Sequence, residues 1–329
     1  MQYEYGNPFS GFAKEELKRF LRSCGLDYDE NIQHTINILQ DDEIIASGSL
    51  DHNVFKCIAV SPDHQGENLT AVLLSQLKQE AFRRGQEHLF LYTKPQNLEM
   101  FSNLEFYPVA QTDTMLLMEN RKNGIDSFVA SLPCPDGKNI GCIVANCNPF
   151  TKGHRYLIET AAAECDVLHV FVLSEDRSTV PAADRFELVK QGLSDLENVL
   201  VHPSSDYLIS SASFPTYFLK EKAAVPQVTC RLDLEIFVKH FAGKMGINKR
   251  FVGTEPTCPV TGVYNREMKK FLPAHGIDVI EIPRLESSGA PISASIVRNL
   301  WKDEAWDKLA NLVPETTLQY MKNYGELVK

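Results

Sequence analysis

The 329-residue chain contains no apolar run approaching the ~18 to 20 residues needed to span a bilayer. Its start, MQYEYGNPFSGF, lacks the basic and then apolar pattern of a secretion signal. Both absences predict a cytoplasmic protein. Positive charge is scarce, with 33 Lys and Arg against 43 Asp and Glu and a formal net charge of −10. That balance argues against a general affinity for nucleic-acid backbones or anionic membranes, so any phosphate site must be local. The eight cysteines, Cys24, Cys57, Cys134, Cys142, Cys147, Cys165, Cys230 and Cys258, include no C-x-x-C pair. Zinc and redox frameworks are thereby disfavoured, no metal-ligating residue is expected, and the thiols read as reduced, mostly core groups. The lack of internal repeats and low-complexity tracts argues against a solenoid.

What is present fits two packed domains: the chain exceeds the usual single-domain length, with 43% hydrophobic and 23% charged residues. Residues 1 to about 120 read as mixed α/β, with strands near Ile36–Leu39, Glu43–Ser47, Val54–Val60 and Leu89–Tyr92. A helix is expected from Leu69 to Arg83, where Leu74, Leu77 and Ala81 make one apolar face. LPCPDGK, Leu132–Lys138, is rich in breakers and reads as a linker. The expected boundaries are 1–125 for the first domain, 126–139 for the connector and 140–329 for the second domain. After the break, strands alternate with helices: Ile140–Ala145, His154–Cys165, Val167–Leu173, Ala183–Leu193 and Val199–His202. A helix within Leu232–Met245, a strand at Arg250–Gly253, a helix at Asn265–Leu272 and a strand at Val279–Ile282 follow. Short helices from Ala294, Glu304 and Pro314 close the chain. Such alternation predicts a doubly wound parallel sheet with helices on both faces.

The stretch IGCIVANCNPFTKGHRYLIETAAA, Ile140–Ala163, carries most of the chemistry. A buried strand passes through a short turn into a helix, at the strand end where doubly wound sheets bind ligands and where a helix N-terminus favours an anion. Asn146 and Asn148 suit local turn bonds, Pro149 fixes its own φ, and Gly153 removes a Cβ where backbone and phosphate meet. His154 would open the helix beside the anion. Leu157, Ile158, Ala161 and Ala162 form a stripe for packing on the sheet. Alone, Asn-Pro followed by Gly-His is also consistent with a plain turn and helix cap.

A second segment, Ile292-Ser293-Ala294-Ser295-Ile296-Val297-Arg298, puts two hydroxyls at a helix start and an arginine one turn on. Ser293 and Ser295 can cap backbone donors or contact phosphate, with Arg298 projecting onto the same anion. It also reads as an ordinary serine-capped helix. Between the two, Phe251-Val252-Gly253-Thr254-Glu255-Pro256 looks like a strand ending in a loop at the same sheet edge. Gly253 and Thr254 could approach a nucleotide and Glu255 could hold a ribose or orient a cation, or the segment is a strand-end turn. Arg231, Asp233 and Arg284 are weaker candidates, each also readable as an ion-pair partner.

Thr151-Lys152-Gly153-His154 resembles the HxGH signature of the nucleotidyltransferase superfamily, with threonine for the first histidine, and ISASIVR resembles its late ISSTxxR motif about 140 residues on. The resemblance implies a Rossmann-like domain that binds ATP and splits it between the α- and β-phosphates. His154, Lys152 and Arg298 would act as electrostatic catalysts. Asn148, Pro149, Phe150, Thr151, Gly153, Gly253, Thr254, Glu255, Ile292, Ser293 and Ser295 would line the nucleotide site. Magnesium would ride mainly on the phosphates and water.

Near the N-terminus, IAVSPDHQGENLTAVLLSQLKQEA resembles the acyl-CoA motif of GNAT acetyltransferases, whose Q/R-x-x-G-x-G/A loop cradles pyrophosphate. Asn68 and Thr70 stand at the two glycine positions, and Phe101 and Glu105 replace the tyrosine and glycine of the later Y-x-x-x-G-F stretch. These departures argue against an active acetyl-CoA-dependent acetyltransferase. Over nearly its whole length, with TCRLDLEIF, KRFVGTEP, EIPRLE and ISASIVR, the chain resembles the citrate lyase ligase family. That resemblance implies acetate attack on ATP to give acetyl-adenylate and pyrophosphate. The acetyl group would then pass to the thiol of the CoA-like prosthetic group on the lyase's acyl carrier subunit, and the GNAT-like domain would hold the pantetheine arm or be structural. The other readings are an adenylyltransferase forming a dinucleotide or dephospho-CoA type product, and a binding module without turnover.

Overall fold

Apolar and β-branched runs crowd the first third of the chain, and the computed structural model pairs them into one sheet. Residues 1–176, 178–210, 227–255, 258–287 and 289–327 are described. They fall into two units, Met1–Gly124 and Ile125–Lys329.

The first unit contains β1 (Gln2–Gly6), α1 (Gly11–Ser23), β2 (His34–Gln40), β3 (Glu43–Asp51), β4 (Val54–Val60), α2 (Leu69–Arg83), β5 (Phe90–Thr93), α3 (Leu98–Ser102), β6 (Tyr107–Gln111) and β7 (Leu116–Glu119). The sheet order is β1-β2-β3-β4-β5-β7-β6. Helix α2 spans the predicted range and buries Leu69, Leu73, Leu74, Leu77 and Ala81 against the sheet. Strands β4 and β5 run parallel but pair only at Val54↔Phe90 and Phe55↔Leu91. Near their far ends lies a cleft of about 960 Å³ lined in part by Ile58, Val60, Gly66, Asn68, Thr70 and Tyr92. Asn68, at a glycine position of the GNAT pattern, has φ 61° at the start of α2. Asparagine tolerates that left-handed conformation better than other side chains. A glycine at this position would adopt the same conformation without strain.

The second unit opens with α4 (Gly124–Ala130), a short helix that starts within the expected first domain and runs into the interval 126–139 that reads as a connector, with Ile125 and Val129 buried. There follow β8 (Ile140–Ala145), α5 (Lys152–Ala162), β9 (Val167–Val172), α6 (Ala182–Gly192), β10 (Val199–Pro203), α7 (Gln227–Ile236), a π-helical turn (Phe237–Ala242), α8 (Gly243–Met245), β11 (Lys249–Gly253) and α9 (Pro259–Phe271). After these come β12 (Asp278–Ile282), a two-stranded ribbon of β13 (Glu286–Ser287) and β14 (Ala290–Pro291), then α10 (Ala294–Lys302), α11 (Trp306–Leu312) and α12 (Glu315–Leu327). The five main strands are parallel in the order β10-β9-β8-β11-β12. Chain progression thus reverses between β8 and β11, the crevice in which doubly wound sheets bind ligands.

Side chains alternate across this sheet. Ile143, Val170 and Phe251 join Ile158, Ala161 and Leu188 in one core. The opposite face carries Phe171, packed edge-on to Phe241 of the π turn at 5.5 Å. It also carries a row of polar groups, His169, Cys142 and Arg250, side by side in the register. The single helix expected within Leu232–Met245 is interrupted by that π turn, which buries both Phe237 and Phe241. A wider i→i+5 turn leaves no mark in apolar periodicity.

His169 and His202 are buried and share a hydrogen bond of 2.9 Å between Nδ1 and Nε2. Burial pushes both imidazoles down to about 4. Because the folded state favours the neutral form, the stability they confer is complete above the unfolded value near 6.5 and drains away as pH falls toward 4. The urea midpoint of the wild type is expected to fall between pH 7 and 5, before most carboxylates titrate. A His169→Gln/His202→Gln double variant should show a flatter profile over the same interval.

Candidate active site

In the turn from β8 into α5, two carbonyls, those of Asn146 and Asn148, are occupied by arginines. Arg185 of α6, fully buried, donates from Nη1 to Asn146 O at 2.9 Å and to Asn146 Oδ1 at 2.5 Å. Its Nε reaches Val180 O at 3.0 Å and its Nη2 Glu175 O at 2.6 Å, tying the loop after β9 to the same point. Asn148 Oδ1 accepts from Val180 N at 3.0 Å. Phe150 is wholly buried, and a Cβ on Gly192 of α6 would lie 2.5 Å from its ring. Phe150 therefore anchors the turn from beneath rather than facing the cleft, and the buried Pro149 is likewise absent from the cleft wall.

At the start of α5 the threonine and histidine of the motif form a reciprocal cap. Thr151 Oγ1 accepts from His154 N at 3.3 Å, and His154 Nδ1 accepts from Thr151 N at 3.1 Å. Thr151 Oγ1 is a further 2.9 Å neighbour of that nitrogen. With Nδ1 accepting, the neutral ring carries its proton on Nε2. Burial, with the positive charge of Arg284 as a smaller contribution, lowers His154 to about 4, so it meets the cleft as a neutral donor at pH 7.

The late motif closes on this turn. Arg298 Nη1 donates to Asn148 O at 2.6 Å, across 150 positions of sequence, and Nη2 to Ser295 Oγ at 3.0 Å. Ser293 caps α10 by accepting from Ser295 N at 3.2 Å. Ile292 packs against Gly153, whose added Cβ would sit 3.4 Å from both its Cβ and its carbonyl. A cleft of about 280 Å³ is thus lined by Asn148, Thr151, Gly153 and His154 on one side and by Ile292, Ser293, Ser295 and Arg298 on the other. Gly253 and Glu255 also line it.

The other expected site residues lie elsewhere or are engaged. Lys152 Nζ donates to Ala310 O at 2.9 Å, on α11, and does not line the cleft. Thr254 accepts from Arg284 through both its carbonyl, at 2.7 Å, and its hydroxyl, at 3.3 Å. Glu255 pairs with Arg284 and accepts from Cys258 N at 2.9 Å. Arg284 thus acts as an ion-pair partner, and it also lines the cleft. Arg231 pairs with Glu235, and Asp233 accepts from Tyr264 Oη and Ile209 N. Pro256 lies outside the described residues. Arg185 was not singled out from sequence, and its only signal there was a charge in an otherwise amphipathic helix.

Two family models match the chain: the citrate lyase ligase C-terminal domain over residues 140–321 and the acetyltransferase (GNAT) family over residues 3–108. The citrate (pro-3S)-lyase ligase of Klebsiella pneumoniae is 42% identical over 320 residues, 95% of this chain and 94% of its own length. The chain belongs to the citrate lyase ligase family. Those of Escherichia coli (strain K12) and Haemophilus influenzae are each 40% identical, over 319 and 318 residues, covering 94% of this chain and 91% and 95% of theirs. The family membership makes the protein a ligase, with a GNAT unit followed by a parallel-sheet nucleotidyltransferase-like unit.

In this ligase the Thr151–His154 cap both closes the helix end and sets the imidazole tautomer. Thr151→Val removes the hydroxyl and should lower the unfolding free energy by about 1 kcal/mol in urea titrations. Thr151→Ser should restore most of it.

Proposed function

We propose that the C-terminal unit binds ATP in the β8–β11 crevice, joins acetate to its α-phosphate, and passes the acetyl group to the thiol of the prosthetic group on the citrate lyase acyl carrier. The observation that carries this reading is the meeting of two anion-receiving helix starts, α5 and α10, locked by Arg298 on Asn148 O at 2.6 Å. Helix N-termini, a neutral imidazole donor and a guanidinium together suit a polyphosphate. In the first step an acetate oxygen forms a bond to the α-phosphorus and the bond to the bridging oxygen breaks. Pyrophosphate leaves with the electron pair. In the second, the carrier thiol attacks the carbonyl carbon, the C–O bond to AMP breaks, and the thiol proton passes to solvent.

No protein nucleophile is required, so the work of the site is positioning and charge stabilisation. His154 Nε2–H and the Arg298 guanidinium are the donors proposed for the phosphates, and Ser293, Ser295 and Gly153 shape the approach. Lys152 has no part while it is held by Ala310 O. Among the described residues no group of three or more His, Cys, Asp or Glu could hold a metal ion. Magnesium, in this reading, would be carried by phosphate oxygens and water and would neutralise charge on the leaving pyrophosphate. The reading places the reaction in the cytoplasm, where ATP and a reduced carrier thiol coexist. No described helix is long and apolar enough to cross a membrane.

The cleft beside β4 and β5 in the N-terminal unit is proposed to take the pantetheine arm. Its supports are the match of this unit to the GNAT family and the turn of left-handed residues Gly66, φ 91°, and Asn68, φ 61°, which lines the cleft at the start of α2. Thr70→Trp, which fills that cleft, should reduce thiol acetylation while sparing adenylate formation. Equal loss of both would remove the arm from the proposal.

Acetate-dependent exchange of labelled pyrophosphate into ATP tests the central reading. Wild-type enzyme should exchange only with acetate present. His154→Ala should lose about 100-fold of the exchange rate, roughly 3 kcal/mol, while loss of its half of the helix cap lowers the unfolding free energy by only about 1 kcal/mol. Accumulation of a dinucleotide instead, with no acetate requirement, would move the assignment to an adenylyltransferase.

A further inference from the structure

Arg250 stands on β11, three residues before the strand ends at Gly253, and is only 3% exposed. Its guanidinium lies 4.7 Å from the centroid of the Phe237 ring. Nη1 donates to Cys142 Sγ at 3.2 Å, a thiol that burial keeps protonated. Nε is buried without a hydrogen-bond partner. Among the described residues no carboxylate pairs with this guanidinium. The buried carboxylate of Asp233 is instead used by Tyr264 Oη at 2.5 Å and Ile209 N at 2.8 Å.

A guanidinium cannot shed its proton, and a buried cation facing a thiol and an aromatic ring is poorly compensated. Yet Arg250 lines the same cleft as His154, Ser293 and Arg298. It does so from lower in the sheet, about 10 Å along the strand from Gly253 at ~3.3 Å per residue. The phosphate-receiving helix starts are at the strand ends. What Arg250 adds is a planar fork with an apolar wall of Phe237, Tyr264 and Met268 in or beside the cleft. A fork of that kind matches a planar carboxylate edge to edge. The apolar wall suits a short hydrocarbon tail and gives little to a second negative charge.

We propose that Arg250 binds the acid substrate, its unused guanidinium edge gripping the carboxylate of a short monocarboxylate, acetate, beneath the α-phosphate. This rests on the acyl-adenylate reading above and assigns the acid subsite within it. A carboxylate has about four lone-pair directions, so a two-point grip leaves others to attack phosphorus. After attack one oxygen is bonded to the α-phosphorus and the other is the carbonyl oxygen of acetyl-adenylate. Arg250 can hold that oxygen as negative charge gathers on it during thiol attack.

The test compares wild type, Arg250→Lys and Arg250→Met in pyrophosphate exchange and in calorimetric titration with ATP. The expected result is a rise in the acetate KM of at least about 30-fold in Arg250→Met, the loss of a charged two-point contact, with ATP affinity within about twofold of wild type. Arg250→Lys, which keeps charge without the fork, should fall between. An unchanged acetate KM in a folded variant overturns the assignment, as does a tenfold or greater loss of ATP affinity at constant acetate KM. If the wild type shows no acetate-dependent exchange, the parent reading fails, and line broadening of labelled acetate by the wild-type protein with ATP bound decides the subsite. Broadening abolished in Arg250→Lys or Arg250→Met supports it, and no broadening in the wild type overturns it.

Discussion

An anion can occupy the turn after β8 only if the carbonyl oxygens there are turned away and satisfied by something else. Two arginines from distant parts of the chain do this. Arg185 takes Asn146 O and Arg298 takes Asn148 O. Each offsets a partial negative charge at the rim of the cleft. The order of elements at the site follows from that requirement. Helix α6 must pack where its buried arginine can reach back to the turn, and α10 must return to it although 150 residues separate the bonded positions. The close fit of Gly153 on Ile292 then holds the two helix starts side by side.

Local charge at the site runs against that of the whole molecule. The chain carries a net −10, which repels polyanions at long range, yet Arg284, Arg298 and Arg250 converge on one cleft. Among the described residues only Arg284 of the three is matched there by a carboxylate, Glu255. The histidine is held neutral by its surroundings and by the threonine amide at Nδ1. Attraction is therefore short-ranged and depends on desolvation inside the crevice, where Coulomb interactions are stronger than in water. A site of this kind discriminates by fit more than by charge count.

Much of this organisation was legible in the sequence where burial follows a simple period. Helix α2 and strand β8 match their expected ranges because each puts apolar residues at the spacing of its own geometry. The placement of Gly153, His154, Ser293 and Arg298 around one cleft was likewise legible, since both motifs sit at strand-to-helix turns of a doubly wound sheet. Spacing alone does not say which way a side chain leaves a helix start, and so it could not separate Lys152, which runs to Ala310 O, from His154, which lines the cleft. Phe150 was indistinguishable from a ligand-facing residue until Gly192 was seen beneath it. Strands β1 and β6 lie at the sheet edges with polar residues in or at the ends of them, so neither shows the apolar run that marks an interior strand, whereas interior β7 has such a run, Leu116–Met118, in a strand of only four residues. Arg250 was hidden for the opposite reason: in KRFVG a strand that starts with two cations looks solvated, whereas its second cation is buried.

The contact between Gly192 and Phe150 also shapes how this family can diverge. Gly192 has an ordinary helical backbone and is small only because an aromatic ring occupies the space a methyl group would fill. Substitution there would displace Phe150, and with it Asn148 and Thr151, shifting two residues of the cleft wall without changing their identity. Selection for nucleotide affinity would then act on a residue a full helix away from the ligand. A larger residue at 192 would be accommodated by a smaller one at 150, so the end of α6 and the turn are coupled through a single packing contact.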